Sequence, residues 1–142
     1  MRHPSSQSPF TYGSNVGYCW PSESQTLLLQ AALLPGEQAL TAWRAWDRAI
    51  DIDALDAGSF RLLPLLYSNL SSLGAGPDYL GRIRGCFRRA WADNMLLMQD
   101  LRPVLAQLNS AGIPPLLVTG VRLVLNYYEH PGLRPMADAD IV

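Results

Sequence analysis

The chain has 142 residues, 49% of them hydrophobic, and a formal net charge of −1. That length holds one ordinary domain, or one small domain and part of another, and the apolar share suffices for a core. The charge excludes a global field that would draw the chain to nucleic acid or to an acidic membrane. All 11 basic residues are arginine, a compositional bias from which no function is read. Cys19 and Cys86 lie far apart without a ligand pattern around them, so neither a disulfide framework nor a zinc site is expected. No apolar run is long enough to span a bilayer, and the N-terminus lacks the apolar core of a signal peptide. The expectation is therefore a cytoplasmic chain with no membrane partner.

Residues 1–21 are rich in Ser, Pro, Gly and Asn without periodicity and are expected to form a disordered tail. Residues 22–110 read as a helical region. Ser22 to Leu34 has a serine cap and an apolar face of Leu27, Leu28, Ala31, Ala32 and Leu34. Pro35-Gly36 breaks it, and a second helix, Glu37 to Ala49, buries Leu40, Trp43, Ala45 or Trp46, and Ile50, with the tryptophans as core anchors. Asp51-Ile52-Asp53 has a spacing that suits paired carboxylates. It lies between two helical patterns with Asp56 just beyond, so helix capping is the expected role. A third helix is predicted over Ser59 to Leu73, with Pro64 in its first turn or so. Gly74-Ala75-Gly76-Pro77 is a break.

Asp78 to Asn109 is the longest periodic segment. Leu80, Ile83, Phe87, Trp91, Met95, Met98, Leu101, Leu105 and Leu108 trace one stripe, and Pro103 is expected to kink or divide the helix. Arg82, Arg84, Arg88 and Arg89 crowd its first half. They are spread around the helix, and Arg89 can pair with Asp93 one turn on, so a solvated face is expected rather than a nucleic-acid site.

In residues 111–142 the periodicity changes. Pro114 to Val118 suits a short buried strand, Thr119-Gly120 a turn, and Val121 to Tyr128 a helix with apolar residues at 121, 124, 125 and 128. His130-Pro131-Gly132 should stop that helix. Ala137 to Val142 then reads as a strand with Asp138 and Asp140 on one face and Ala139 and Ile141 on the other. On periodicity alone a plain amphipathic strand with its polar face in water is the preferred reading over a carboxylate site.

The run Pro131-Gly132-Leu133-Arg134-Pro135-Met136-Ala137-Asp138-Ala139-Asp140 is more specific. With Gly120, Tyr127 and Tyr128 before it, it resembles the signature of the uncharacterised bacterial nucleotidyltransferases of the polymerase-β-like superfamily. Pro64 to Leu70 and Arg88-x-x-Trp91-x-x-Asn94 are similar to earlier parts of that family. The resemblance implies an α+β fold, in which a helical N-terminal region leads into the first strand–turn–helix–strand unit of a nucleotidyltransferase domain. It implies Mg²⁺-dependent transfer of a nucleoside monophosphate from a nucleoside triphosphate to an acceptor hydroxyl. Asp138 and Asp140 would be the catalytic carboxylates and Mg²⁺ ligands, with Gly120, Val121 and Arg134 at the nucleotide phosphates. For Arg134 the residues themselves favour the other reading, a structural role in holding its loop by bonding backbone carbonyls.

Two residues depart from the pattern: Thr119 stands where the family usually has lysine, and Val121 where it has a small or hydroxyl residue. The third carboxylate of the superfamily, carried on a later strand, has no place in this sequence. The expectation is thus a truncated domain with an incomplete sheet, inactive alone, or one completed by another subunit. The alternatives are a non-catalytic helical interaction module or remnant and a helical RNA adaptor using the Arg82 to Arg89 face.

Overall fold

Ser22 opens the helical region with a reciprocal cap. The Gln25 backbone N–H donates to Ser22 Oγ at 3.2 Å, and the Ser22 N–H donates to Gln25 Oε1 at 2.9 Å. Two donors that a helix start would leave without partners are thereby satisfied. A computed structural model describes residues 20–75 and 77–142. In it helix α1 (Glu23–Leu33) follows from that cap, and α2 (Gly36–Ala49) follows the Pro35-Gly36 break. The expected disordered tail falls almost entirely on residues 1–19 and so lies outside the described residues.

Helix α3 (Ala57–Ser72) starts earlier than its periodicity suggests, because Asp56 rather than a later residue caps it. The Asp56 carboxylate accepts from the Ser59 N–H at 2.9 Å, the Ser59 hydroxyl at 2.5 Å and Gln25 Nε2 at 3.3 Å. The last of these bonds ties the starts of α1 and α3 together. One consequence corrects an expectation: Pro64 lies about two turns into the helix rather than in its first turn. There its ring removes a backbone bond to Phe60 but is itself buried in the core.

The same hydrogen bonds hold the Asp56 carboxyl down at about 2, the Ser59 hydroxyl being the largest cause. A folded-state value below the ordinary 3.8 means that this cap stabilises fully above about pH 4 and is lost as pH falls toward 2. We expect thermal melting of the chain to drop more steeply between pH 4 and pH 2 than that of Asp56→Ala, which should already be destabilised at neutral pH. Parallel melting curves for the two across that window would refute the assignment.

Helix α1 packs on α2 and α3, and their shared core contains Leu28, Ala31, Trp43, Trp46, Leu63, Leu66 and Leu70. The Trp43 and Trp46 rings lie 5.5 Å apart at a 33° tilt, confirming both as core anchors and resolving the choice of Ala45 or Trp46. Trp46 is 1% exposed, and its indole N–H has no partner among the described residues. Its large apolar area outweighs that unmade bond. Asn69 Nδ2 donates to the Ala31 and Leu34 carbonyls, each at 2.9 Å, and so closes the end of α1.

Helix α4 (Pro77–Ser110) is continuous through Pro103, so that proline does not divide it. Gln99, whose carbonyl loses its partner, and Pro103 are both exposed, and water can take the bond. Ile83 joins the core of the first three helices, and Ala90 and Asn94 are also buried. The apolar stripe is only partly covered: Trp91 and Met95 are 45% and 40% exposed. The reason is that α4 packs mainly against α3 and one short turn near the C-terminus, leaving that flank open.

Of the crowded arginines, Arg82 Nη2 reaches both Asp53 oxygens, at 2.8 and 3.0 Å, and Arg89 Nε lies 3.5 Å from Asp93. Asp53 is thus an ion-pair partner rather than a cap. Asp51 does cap, accepting from the Asp53 N–H at 3.0 Å at the start of a 3₁₀ turn, Ile52–Ala54. No described helix is long and apolar enough to cross a membrane.

The C-terminal unit consists of strand β1 (Leu117–Val118), helix α5 (Thr119–Tyr127), a 3₁₀ turn (Pro131–Leu133) and strand β2 (Asp140–Ile141). The strands pair antiparallel, Leu117 with Ile141 and Val118 with Asp140. With the helices before it, this makes an α+β chain. Both strands are shorter than Pro114–Val118 and Ala137–Val142. Pro114 and Pro115 have no N–H to give a ladder, so pairing begins at Leu116, whose N–H and C=O bond Val142 at 2.8 and 2.9 Å. In α5 the buried residues are Val121 and Val124, whereas Leu125, placed on the same face by its spacing, is 61% exposed. A narrower buried face fits a helix covered by so small a sheet.

Candidate nucleotide and cation site

The antiparallel register decides what meets at the site. Because Val118 pairs with Asp140, the next residue, Thr119, begins α5 beside that aspartate. The Thr119 hydroxyl donates to Asp140 Oδ2. Asp138 and Asp140 are exposed, while Ala139 and Ile141 are half-buried, the alternation of burial that the spacing predicts. Only Asp140 belongs to β2; Asp138 lies two residues before the strand, after a bend at Ala137, so the expected strand from Ala137 is shorter than its spacing suggests.

The start of α5 has no side-chain cap, and an uncapped helix start presents backbone N–H groups and partial positive charge. Beside Gly120, in the first turn of α5, lies the guanidinium of Arg134: a Cβ built on that glycine would stand 3.1 Å from Arg134 Nη1 and 3.3 Å from Met136 Sδ. Close approach is therefore what Gly120 supplies. The tight turn expected of it belongs instead to Thr119, at φ 55°. The Val121 side chain is buried, so only its backbone is available to a ligand. A guanidinium against the positive end of a helix is electrostatically unfavourable unless an anion lies between or beside them.

What holds the backbone of the Pro131 to Met136 loop in place is a residue to which sequence reasoning assigned no role. Asn94, fully buried on α4, donates from Nδ2 to the Pro131 carbonyl at 2.6 Å and the Arg134 carbonyl at 2.8 Å. Its Oδ1 accepts from the Met136 N–H at 3.0 Å. One side chain thus fixes the loop that leads to Asp138. The available signal was a polar residue at helical spacing from Ile83, Phe87 and Trp91 on an otherwise apolar face.

The loop is further seated by aromatic contact and close packing. The His130 ring lies 4.9 Å from that of Phe87, which lies 5.1 Å from Tyr67, and His130 Nδ1 accepts from the Gly132 N–H at 3.0 Å. Gly132 sits directly on α4, where an added Cβ would come within 3.0 Å of Trp91 Cβ and 3.1 Å of the Phe87 carbonyl.

The donor chemistry suits a hard cation. Mg²⁺ prefers carboxylate and water oxygens and is commonly held by one or two carboxylates together with substrate phosphates. Asp138 and Asp140 offer such a pair. Among the described residues no cluster of three or more His, Cys, Asp or Glu side chains forms a closed cage. Asp51 and Asp53, with the same spacing, are committed to a cap and to Arg82.

Fold and site together define a helical chain ending in a strand–helix–strand hook that carries Asp-x-Asp. A family model described as an uncharacterised nucleotidyltransferase matches residues 46–142, more than half of the chain, and the chain belongs to that family. The match takes in α3, α4 and the whole hook. No curated protein and no solved structure gave a match.

Proposed function

We propose that the hook binds a nucleoside triphosphate with Mg²⁺ and serves transfer of a nucleoside monophosphate to an acceptor hydroxyl. In that reaction the acceptor oxygen bonds to the α-phosphorus, the bond to the pyrophosphate oxygen breaks and releases pyrophosphate, and the hydroxyl proton passes to solvent water. Asp138 and Asp140 hold the cation, while Arg134 and the first backbone N–H groups of α5 hold phosphate oxygens. Mg²⁺ supplies stabilisation of the negative charge that gathers during transfer. The observation that carries the reading is the convergence of the uncapped α5 start, the Arg134 guanidinium and the Asp140 carboxylate on neighbouring residues, Thr119 and Gly120. Two exposed carboxylates bind such a cation weakly, on the order of millimolar, so nucleotide binding should need Mg²⁺ at about that concentration.

The test is binding of a fluorescent nucleoside triphosphate with and without Mg²⁺. Binding should depend on Mg²⁺ and be lost in Asp138→Asn and Asp140→Asn, while Asp51→Asn and Asp53→Asn retain it. Nucleotide binding indifferent to Asp138 and Asp140 would sink the reading. A complete lack of binding would favour the non-catalytic interaction module. The exposed Leu116, Leu125, Tyr127 and Val142 of the hook are what would serve such a module.

A further inference from the structure

Thr119 has a backbone that its side chain disfavours. It sits at φ 55°, whereas the other described residues with positive φ are Gly36, Gly74 and Gly112. A β-branched residue there is a steric outlier, because its Cβ crowds the following backbone; glycine would adopt the same turn freely. Something specific to threonine must offset that cost. The contact that does so is the hydrogen bond from its hydroxyl to Asp140 Oδ2. The contact spans the pair of strands: Thr119 follows the residue that pairs with Asp140, and Thr119 itself is exposed.

We infer that Thr119 is a positioning residue for Asp140, its hydroxyl holding one carboxylate oxygen so that the other stays free for a divalent cation. This rests on the proposed reading of Asp140 as a cation ligand. An exposed aspartate otherwise samples several rotamers, and binding a cation must then fix one of them. A hydrogen bond from Thr119 fixes it beforehand. Ligating carboxylates are commonly held in this way by a neighbouring donor, whose removal costs about 10-fold or more in metal affinity. The left-handed turn at Thr119 places that donor opposite Asp140 rather than along the helix.

Three substitutions separate positioning from mere packing. Thr119→Ser keeps the hydroxyl, Thr119→Val keeps the shape without it, and Thr119→Gly removes the hydroxyl while relieving the backbone. The readouts are thermal melting and the Mn²⁺ dose that broadens the Ala139 and Asp140 amide signals in the 142-residue chain. Thr119→Val and Thr119→Gly should both need roughly 10-fold more Mn²⁺, and Thr119→Ser about the wild-type dose. Thr119→Gly should melt above Thr119→Val yet bind Mn²⁺ no better, a split that a structural role cannot give. Wild-type Mn²⁺ response in Thr119→Val, or affinity in Thr119→Gly that recovers along with melting, would overturn the inference. Asp140→Asn is measured beside them. If it leaves the Mn²⁺ dose unchanged, the cation reading itself fails and takes the inference with it. If it raises the dose while Thr119→Val does not, only the role of Thr119 fails.

Discussion

Asn94→Ala is expected to lower stability by about 2–4 kcal/mol in urea unfolding, because it leaves a cavity at a fully buried position and orphans two carbonyls and one N–H in a half-buried loop. The three bonds lost are those to Pro131, Arg134 and Met136, all between 2.6 and 3.0 Å. Asn94→Asp tests the polarity of the arrangement. An isosteric carboxylate would face two carbonyl oxygens with no N–H to offer them, and would itself be buried and charged. It should therefore be at least as damaging as alanine at neutral pH. An Asn94→Asp variant as stable as wild type would show that the side chain does not hold the loop as described.

Gly132→Ala should cost about 1–3 kcal/mol, an overpacking penalty, and should weaken nucleotide binding by lifting the loop off α4. The deciding atom is the Phe87 carbonyl oxygen, 3.1 Å from the new Cβ, since helix backbone cannot move aside cheaply. Gly120→Ala makes the contrast. Its new Cβ would meet Arg134 Nη1 at 3.1 Å and Met136 Sδ at 3.3 Å, both near the ends of flexible side chains. That substitution should leave melting nearly unchanged while displacing Arg134. If urea unfolding ranked Gly120→Ala as the more destabilising of the two, the packing account of the loop would be wrong.

These two predictions mark where sequence reading stopped. The helical region was legible because its punctuation is local. Ser22 with Gln25, Pro35-Gly36 and Asp56 each act within a few residues, and apolar spacing sets the faces between them. Where local signals competed, boundaries moved: the Asp56 cap started α3 early and carried Pro64 into the helix interior. The Asp-x-Asp motif was legible from its Pro-Gly-Leu-Arg-Pro-Met approach, and periodicity placed both aspartates on one face. What periodicity could not give was partnership across the chain. Asn94 meets its loop only because α4 and the 3₁₀ turn pack together, with partners 37 to 42 positions away. Thr119 meets Asp140 only because the strands pair in one register and the backbone turns left-handed at a residue that gives no sequence hint of it. The Asp53 pairing with Arg82, 29 positions on, was hidden for the same reason.

The most direct test of the central claim is to locate the divalent cation. Mn²⁺ titrated into the ¹⁵N-labelled chain should first broaden the amide signals of Ala137 to Ile141, together with Thr119 and Gly120 across from them. That broadening should vanish when Asp138→Asn and Asp140→Asn are combined. Broadening that instead begins around Asp51 to Asp53, or that persists at Ala139 in the double variant, would contradict the assignment of the site.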